Sequence, residues 1–169
     1  MKKKRPAVFL DRDGTLLYDR PGYYLRSPGK LRLYPFTTEA LRLLRSKGYA
    51  LVVITNQSGV GRGYLTEDTL EQIHDRLQCQ LRKKGAALDG IYSCLHHPDD
   101  RCRCRKPKTT LVMRAARELG LSIQGSVVIG DKKADVDLAR NLKVPSAFVM
   151  TGHGRNETMR YGRRLKATC

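Results

Sequence analysis

Two carboxylates two residues apart, Asp11 and Asp13, stand directly behind the apolar run Ala7-Val8-Phe9-Leu10. A short apolar run followed by an acidic, Gly-containing turn, Asp11-Arg12-Asp13-Gly14-Thr15, predicts a buried strand with an exposed functional tip. Carboxylates this close repel each other, and each is costly to bury unpaired. They become tolerable beside a cation, beside a phosphorylated ligand with its cation, or where acid/base chemistry is done. The pair therefore points to an enzyme acting on a phosphate group. A helix cap or a turn residue is the ordinary alternative for an Asp after a strand.

A second cluster lies at 94–106, Cys-Leu-His-His-Pro-Asp-Asp-Arg-Cys-Arg-Cys-Arg-Lys. Three cysteines and two histidines within so short a span have the density of metal ligands. Zn²⁺ takes four soft or borderline ligands in a tetrahedron, and Cys94, His96, Cys102 and Cys104 can close around one ion. His97 is the rival to His96. Four protein ligands leave no open position, so such a zinc is structural. It would rigidify a loop too short for its own core and so place Arg105 and Lys106. A thiol cluster without metal is the alternative.

Both clusters need elements to hold them. Apolar runs alternate with amphipathic segments, which predicts a parallel α/β sheet. Strands are expected at 7–10, 51–54, 90–93, 126–129 and 146–149, and helices at 37–47, 66–84, 110–119 and around 134–141. The longest helix has Thr66 as a cap and Glu67 and Asp68 at its positive end. Leu70, Ile73, Leu77 and Leu81 form its buried stripe, and Gly85 stops it. Three strand ends then carry polar residues: Asp11 and Asp13, Thr55 and Asn56, and Asp131. Ligands bind at the carboxyl ends of strands in an open parallel sheet, so these residues are expected at one site. The tail from His153 onward is basic and poor in apolar residues, and is expected to be loosely ordered.

The 169 residues suffice for one domain, 1–169, with a core over about 7–150 and no disulfide staples. No stretch approaches the apolar length that spans a bilayer, and the basic start lacks the features of a secretory signal. The cytoplasm is the expected compartment. Cysteines there are ligands or free thiols; Cys79, on the 66–84 helix, reads as a small core or boundary residue and Cys169 as a free terminal thiol. The net charge is +17, from 33 Lys and Arg against 16 Asp and Glu. Such a surplus attracts phosphorylated metabolites, nucleic acid or acidic membranes. The basic residues are densest at 2–5, 82–84, 101–108 and 160–166, with no aromatic interleaving and no recognisable nucleic-acid module. A small phosphorylated ligand, no membrane and a monomer are expected.

Residues 8–15, Val-Phe-Leu-Asp-Arg-Asp-Gly-Thr, resemble the first signature of the haloacid dehalogenase superfamily of phosphotransferases. Thr55 matches its second motif, Lys106 its third, and Gly130-Asp131-Lys132-Lys133-Ala134-Asp135 its fourth. The resemblance covers most of 7–150. It implies a Rossmann-like open parallel sheet with helices on both faces, and the chain length leaves no room for a large cap domain. It implies that Asp11 is the nucleophile forming an aspartyl-phosphate, and that Asp13 is the general acid and then the base. Mg²⁺ would be held by Asp11, the backbone carbonyl of Asp13, and Asp131. Thr55 would bond the phosphoryl oxygens, and Lys106 would set a cation against Asp11 and the transferring group. Asp135 would orient Lys106 or a metal-bound water.

The Cys-x-His…Cys-x-Cys pattern is similar to the zinc loop of bacterial heptose bisphosphate phosphatases and of the related histidinol-phosphate phosphatases, which favours His96 over His97. The runs Thr55–Gly63, Cys104–Pro107 and Gly130–Lys132 are similar to theirs as well. Asp19, Gly22 and Tyr23 fall in their substrate loop, where this chain carries one residue more. Arg12, Asn56, Gln57 and Ser58 join these as expected substrate contacts. A bisphosphate needs an anchor for its second phosphate, and Arg105 is the candidate because guanidinium binds phosphate bidentately; Lys132 could serve either phosphate. The implied activity is Mg²⁺-dependent release of the C7 phosphate of a heptose 1,7-bisphosphate. Histidinol-phosphate phosphatase is the rival, followed by a polynucleotide 3′-phosphatase, favoured by charge alone. A non-catalytic phosphate- or nucleic-acid-binding protein conflicts with the intact aspartates and lysine.

Overall fold

Alternate residues of the run after Pro6 enter opposite cores: Ala7 and Phe9 join one apolar cluster, Val8 and Leu10 the other. That burial on both faces is the mark of a central parallel strand. The structure is a computed structural model and describes residues 4–165. Its five strands are β1 (Arg5–Leu10), β2 (Ala50–Asn56), β3 (Gly90–Cys94), β4 (Leu121–Gly130) and β5 (Ser146–Phe148). All pair in parallel, in the order β3-β2-β1-β4-β5. Among the described residues the α-helices are α1 (Thr37–Ser46), α2 (Ser58–Gly61), α3 (Glu67–Lys83), α4 (Thr110–Glu118), α5 (Lys133–Leu142) and α6 (Gly154–Tyr161).

Helices cover both faces, as expected. Leu111, Val112 and Ala115 of α4 and Leu138 and Ala139 of α5 pack with Phe9 and Val52. Leu41 of α1 and Ile73, Leu77 and Leu81 of α3 pack with Val8 and Val53 on the other face. In α3 the Thr66 side chain accepts from the Thr69 amide at 3.1 Å, and Gly85 follows the last turn at φ +67°. The stripe Leu70, Ile73, Leu77 and Leu81 is buried.

The chain order reverses beside β1: β2 follows on one side, β4 on the other. This switch opens a crevice at the carboxyl ends of β1 and β4. Asp11 and Asp13 leave β1 there, and Asp131 leaves β4.

Two differences from the expected elements have clear causes. β4 begins at Leu121, five residues before the expected start, and its register against β1 shifts between Pro6 and Val8. Across the shift the Ser126 hydroxyl accepts from the Ala7 amide at 2.9 Å and donates to the Ser122 carbonyl at 2.6 Å, so the broken ladder is still satisfied. The tail from His153 is not loosely ordered where the structure describes it. Residues 154–161 form α6, and Leu165 is buried. Its anchors are polar: the Glu157 carboxylate accepts from the Lys133 amide at 2.7 Å, and the Lys133 ammonium lies over the Tyr161 ring. Apolar content alone missed these contacts. Residues 166–169, with Cys169, and Lys2 and Lys3 of the basic stretch at 2–5 lie outside the described residues.

At the opposite end of the sheet, Asp89 ties three elements. It accepts from Arg5 at 2.7 Å, from Arg45 at 3.0 Å and from the Leu51 amide at 2.8 Å. Burial opposes its ionisation, but these donors and cations outweigh it and lower the carboxyl. A lowered carboxylate contributes stability above its unfolded pKa and loses it as pH falls through the folded one. Asp89→Ala is therefore expected to cost about 1–2 kcal/mol at pH 7. In urea titrations the difference from the unaltered protein should shrink below about pH 4. An equal cost at pH 7 and pH 3 would contradict this.

Candidate active site

Four elements deliver the charged groups to the crevice. Lys106 is 5% exposed, and its Nζ donates to Asp11 Oδ1 at 2.8 Å and to Asp135 Oδ1 at 2.6 Å. The Asn56 side chain clamps the backbone of Lys106: its Oδ1 accepts from the Lys106 amide at 3.0 Å and its Nδ2 donates to the carbonyl at 3.3 Å. Burial would raise the Asp11 carboxyl, yet Lys106 and then Lys132 hold it at about 2, so it is an anion at neutral pH. Burial works against protonated Lys106, but Asp11 and Asp135 outweigh it and keep the ammonium charged. Both oxygens of Asp135 are engaged, Oδ1 by Lys106 and Oδ2 by the Lys132 amide at 3.1 Å. Asp135 is thus an ion-pair partner of Lys106.

Asp131 is fully buried. Its Oδ2 accepts from the His153 amide at 2.7 Å, while its Oδ1 has no hydrogen-bond partner. Burial pushes its carboxyl up to about 8, with Lys132 opposing and Asp11 adding to the rise. An orphaned buried oxygen facing a second carboxylate is the environment a divalent cation relieves. Ligand oxygens of Asp11, Asp131 and Asp135 lie within 4.8 Å of one another, and Asp135 is already spent on Lys106 and a backbone amide. Asp11 and Asp131 thus fit a hard cation with oxygen ligands.

The backbone is shaped around Asp131. Gly14 has φ +88°, and a Cβ there would lie 2.1 Å from Asp131 Oδ2. Gly152 has φ +53°, and a Cβ there would lie 2.4 Å from the same oxygen. The Thr151 hydroxyl donates to the Gly14 carbonyl at 2.5 Å. The segment before α6 therefore closes over the Asp11–Gly14 turn. The sequence reading missed it because the segment is polar; the Gly152 and Gly154 pair was the available signal.

A cavity of about 340 Å³ lies outside this centre, within the range of small-molecule sites. Asp13 lines it, together with Asp19, Gly22, Tyr23, Asn56, Ser58, Arg105 and Lys132 from the set expected to contact substrate. Arg105 has a buried Nη1 without a hydrogen-bond partner. His153 and Tyr24 also line the cavity and were not anticipated. His153 Nε2 is 3.3 Å from Asp19 Oδ2. Arg12 and Gln57 reach the cavity wall, but their polar groups turn inward. Arg12, expected as a substrate contact, is 1% exposed and its guanidinium is bonded to Asp13 and Gln57. Thr55 is 1% exposed, and its hydroxyl oxygen accepts from Gln57 Nε2 at 2.8 Å, leaving its proton free to be donated.

Residues 103–168 match the HAD-hydrolase-like family model. A D-glycero-beta-D-manno-heptose-1,7-bisphosphate 7-phosphatase of Helicobacter pylori (strain J99) is 41% identical over 146 residues, covering 86% of this chain and 83% of that protein. The enzyme of the same name from Pasteurella multocida (strain Pm70) is 38% identical over 159 residues, covering 90% and 84%. The chain belongs to the D-glycero-D-manno-heptose-1,7-bisphosphate 7-phosphatase family. The D,D-heptose 1,7-bisphosphate phosphatase of B. bronchiseptica, solved with magnesium and phosphate, matches with a TM-score of 0.85 at 32% identity, over 93% of this chain and 87% of that one.

In this heptose-bisphosphate phosphatase family member the cysteine loop has the geometry of a metal site. Cys94 Sγ lies 3.7 Å from Cys102 Sγ and 3.6 Å from His96 Nδ1. Cys104 Sγ lies 3.9 Å from Cys102 Sγ and 3.3 Å from His96 Nδ1. Zn–S bonds of about 2.3 Å in a tetrahedron require S···S edges of roughly 3.8 Å. The cluster is compatible with zinc. His97 turns away: its amide donates to Asp100 and its Nδ1 accepts from the Asp99 amide. The loop is seated against α2, where the Gly61 amide donates to the Leu95 carbonyl at 2.9 Å. A Cβ on Gly61 would lie 2.3 Å from the His97 amide nitrogen. Among the described residues no helix is long and apolar enough to cross a membrane.

Proposed function

We propose that this chain hydrolyses the C7 phosphate of D-glycero-D-manno-heptose 1,7-bisphosphate, leaving heptose 1-phosphate for nucleotide-activated heptose used in lipopolysaccharide or other surface glycans. The observation that carries the reading is the anionic Asp11, bonded to Lys106 and within 4.8 Å of Asp131, beside a cavity lined by the cations Arg105, Lys106 and Lys132, in a chain of this family. Asp11, the Asp13 carbonyl and Asp131 would hold Mg²⁺, which when bound neutralises repulsion between the carboxylate and the phosphate.

The rest is done by side chains. A carboxylate oxygen of Asp11 forms a bond to phosphorus as the bond from phosphorus to the C7 oxygen breaks. The Asp13 carboxyl gives its proton to that leaving oxygen. Asp13, now a carboxylate, takes a proton from water, whose oxygen bonds phosphorus as the Asp11–phosphorus bond breaks. Phosphate leaves, Asp11 is again a carboxylate, and Asp13 is again protonated. Lys106 and the Thr55 hydroxyl bind the equatorial oxygens throughout. Arg105, with its unpaired Nη1, takes the second phosphate, and Lys132 bridges toward Asp11 at 3.9 Å and Asp19 at 3.7 Å. Zinc at Cys94, His96, Cys102 and Cys104 is structural. The proposed state is a monomer, and the proposed compartment is the cytoplasm.

The test is phosphate release with Mg²⁺. kcat/KM for heptose 1,7-bisphosphate should exceed that for histidinol phosphate by about 100-fold or more, because buried cations aimed at an absent second phosphate stay unpaired. The reverse ratio would overturn the substrate assignment. Hydrolysis of a 3′-phosphorylated oligonucleotide as the preferred substrate would do so as well.

A further inference from the structure

His74 has no part in the chemistry above. It lies on α3 at the edge of the buried stripe, between Leu70 and Leu77. Its Nε2 is 3.1 Å from Nη1 of Arg12. A guanidinium has donors and no acceptor, so Nε2 must accept and the ring proton sits on Nδ1. Burial first, then the charge of Arg12, lowers the imidazole to about 4, with Asp13 opposing, so the acceptor persists at neutral pH.

Arg12 passes this restraint on. Its Nε donates to Asp13 Oδ1 at 3.1 Å and Oδ2 at 3.2 Å, and its Nη2 donates to Asp13 Oδ2 at 2.8 Å. Nη2 also donates to Gln57 Oε1 at 2.8 Å, and Gln57 Nε2 returns to Asp13 Oδ2 at 2.6 Å. Oδ2 is thus crowded with donors, while Oδ1 receives one long contact. The proton that Asp13 exchanges belongs on Oδ1.

We infer that His74 is a positioning residue for Asp13: by accepting from Arg12 it fixes the guanidinium that sets the rotation of the Asp13 carboxyl and keeps Oδ1 as the proton-exchanging oxygen. The inference rests on Asp13 being the general acid and does not depend on which sugar phosphate is cleaved. Arg12 is held at Nη1 by His74, at Nη2 by Gln57 and by the Asp13 carboxylate itself; without the hold at Nη1 the guanidinium and the carboxylate have room to rotate together. Asp13 then stays in place but presents its proton less often. A leaving group that needs no proton escapes the penalty.

The test compares His74→Leu, which keeps bulk and removes the acceptor, with His74→Gln, which keeps an acceptor oxygen. Single-turnover release of the leaving group is measured with an alkyl phosphate, heptose 1,7-bisphosphate or histidinol phosphate, and with p-nitrophenyl phosphate, whose phenolate leaves unprotonated. For His74→Leu the alkyl rate should fall about tenfold at unchanged substrate affinity, and the ratio of aryl to alkyl rate should rise about tenfold. His74→Gln should recover most of the alkyl rate. A parallel loss on both substrates would make His74 merely structural and overturn the inference, as would an unchanged alkyl rate. His74→Ala gives a second acceptor-free variant should the leucine not fold. If the unaltered enzyme cleaves histidinol phosphate and ignores the heptose, the substrate assignment falls while the ratio is still read.

Discussion

Asp11→Asn removes turnover, by at least about 10⁴-fold, and leaves a folded protein. The carboxamide has the shape of the carboxylate but no lone pair nucleophilic enough to attack phosphorus. Lys106 loses one of its two buried partners and keeps Asp135 at 2.6 Å, so its charge is still compensated. The expected cost in stability is about 1–3 kcal/mol, well within what a domain of this size tolerates. Single-turnover rates with Mg²⁺ and thermal melts by circular dichroism check both halves. A variant retaining a hundredth of the activity would show that Asp11 binds the metal without attacking. A variant that no longer folds would show that the Asp11–Lys106 pair holds the crevice together.

The second large effect concerns the cysteine loop. Cys104→Ser is expected to empty the zinc site and to lower kcat by about 100-fold, through the position of Lys106 two residues on. Between Cys94 and Lys106 the chain is mostly polar, and its own backbone-donated bonds are confined to the short 97–102 turn: His97 amide to the Asp100 carboxylate, Asp99 amide to His97 Nδ1, Asp100 amide to the His97 carbonyl and Cys102 amide to the Asp100 carbonyl. Four ligands converging on one ion would supply the restraint that an apolar core supplies elsewhere. Asn56 still grips the Lys106 backbone, which is why the loss stops short of that for Asp11. Metal content by elemental analysis should fall from about one zinc per chain to near zero. Full activity in a zinc-free variant would separate the loop from catalysis.

The strands and the charged centre were legible because their signals are local. Ala7 to Leu10 has the length and apolar run of a buried strand, and a second carboxylate two residues after Asp11 points to a cation, a phosphorylated ligand or acid/base chemistry. Thr66 and Gly85 bounded α3 by their own hydrogen bonds and backbone angle. What stayed hidden depends on distant partners. The order of the strands follows from pairing between β1 and β4, more than a hundred residues apart. The helix at 154–161 is held by Lys133 and Glu157, which no hydropathy pattern reveals. Arg12 was expected against the substrate, and nothing local in the sequence tells that its guanidinium meets His74, 62 positions away, and Asp13. His96 and His97 have the same side chain one position apart, and only the Asp99–Asp100 turn separates their roles.

The most direct measurement uses heptose 1,7-bisphosphate labelled with ³²P at the C7 phosphate, quenched in acid within the first turnover. The account predicts label on the chain, released by hydroxylamine and confined to the peptide containing Asp11, with unlabelled heptose 1-phosphate as co-product. Label that passes to free phosphate without ever residing on that peptide, or transfer of the C1 phosphate instead, would contradict it.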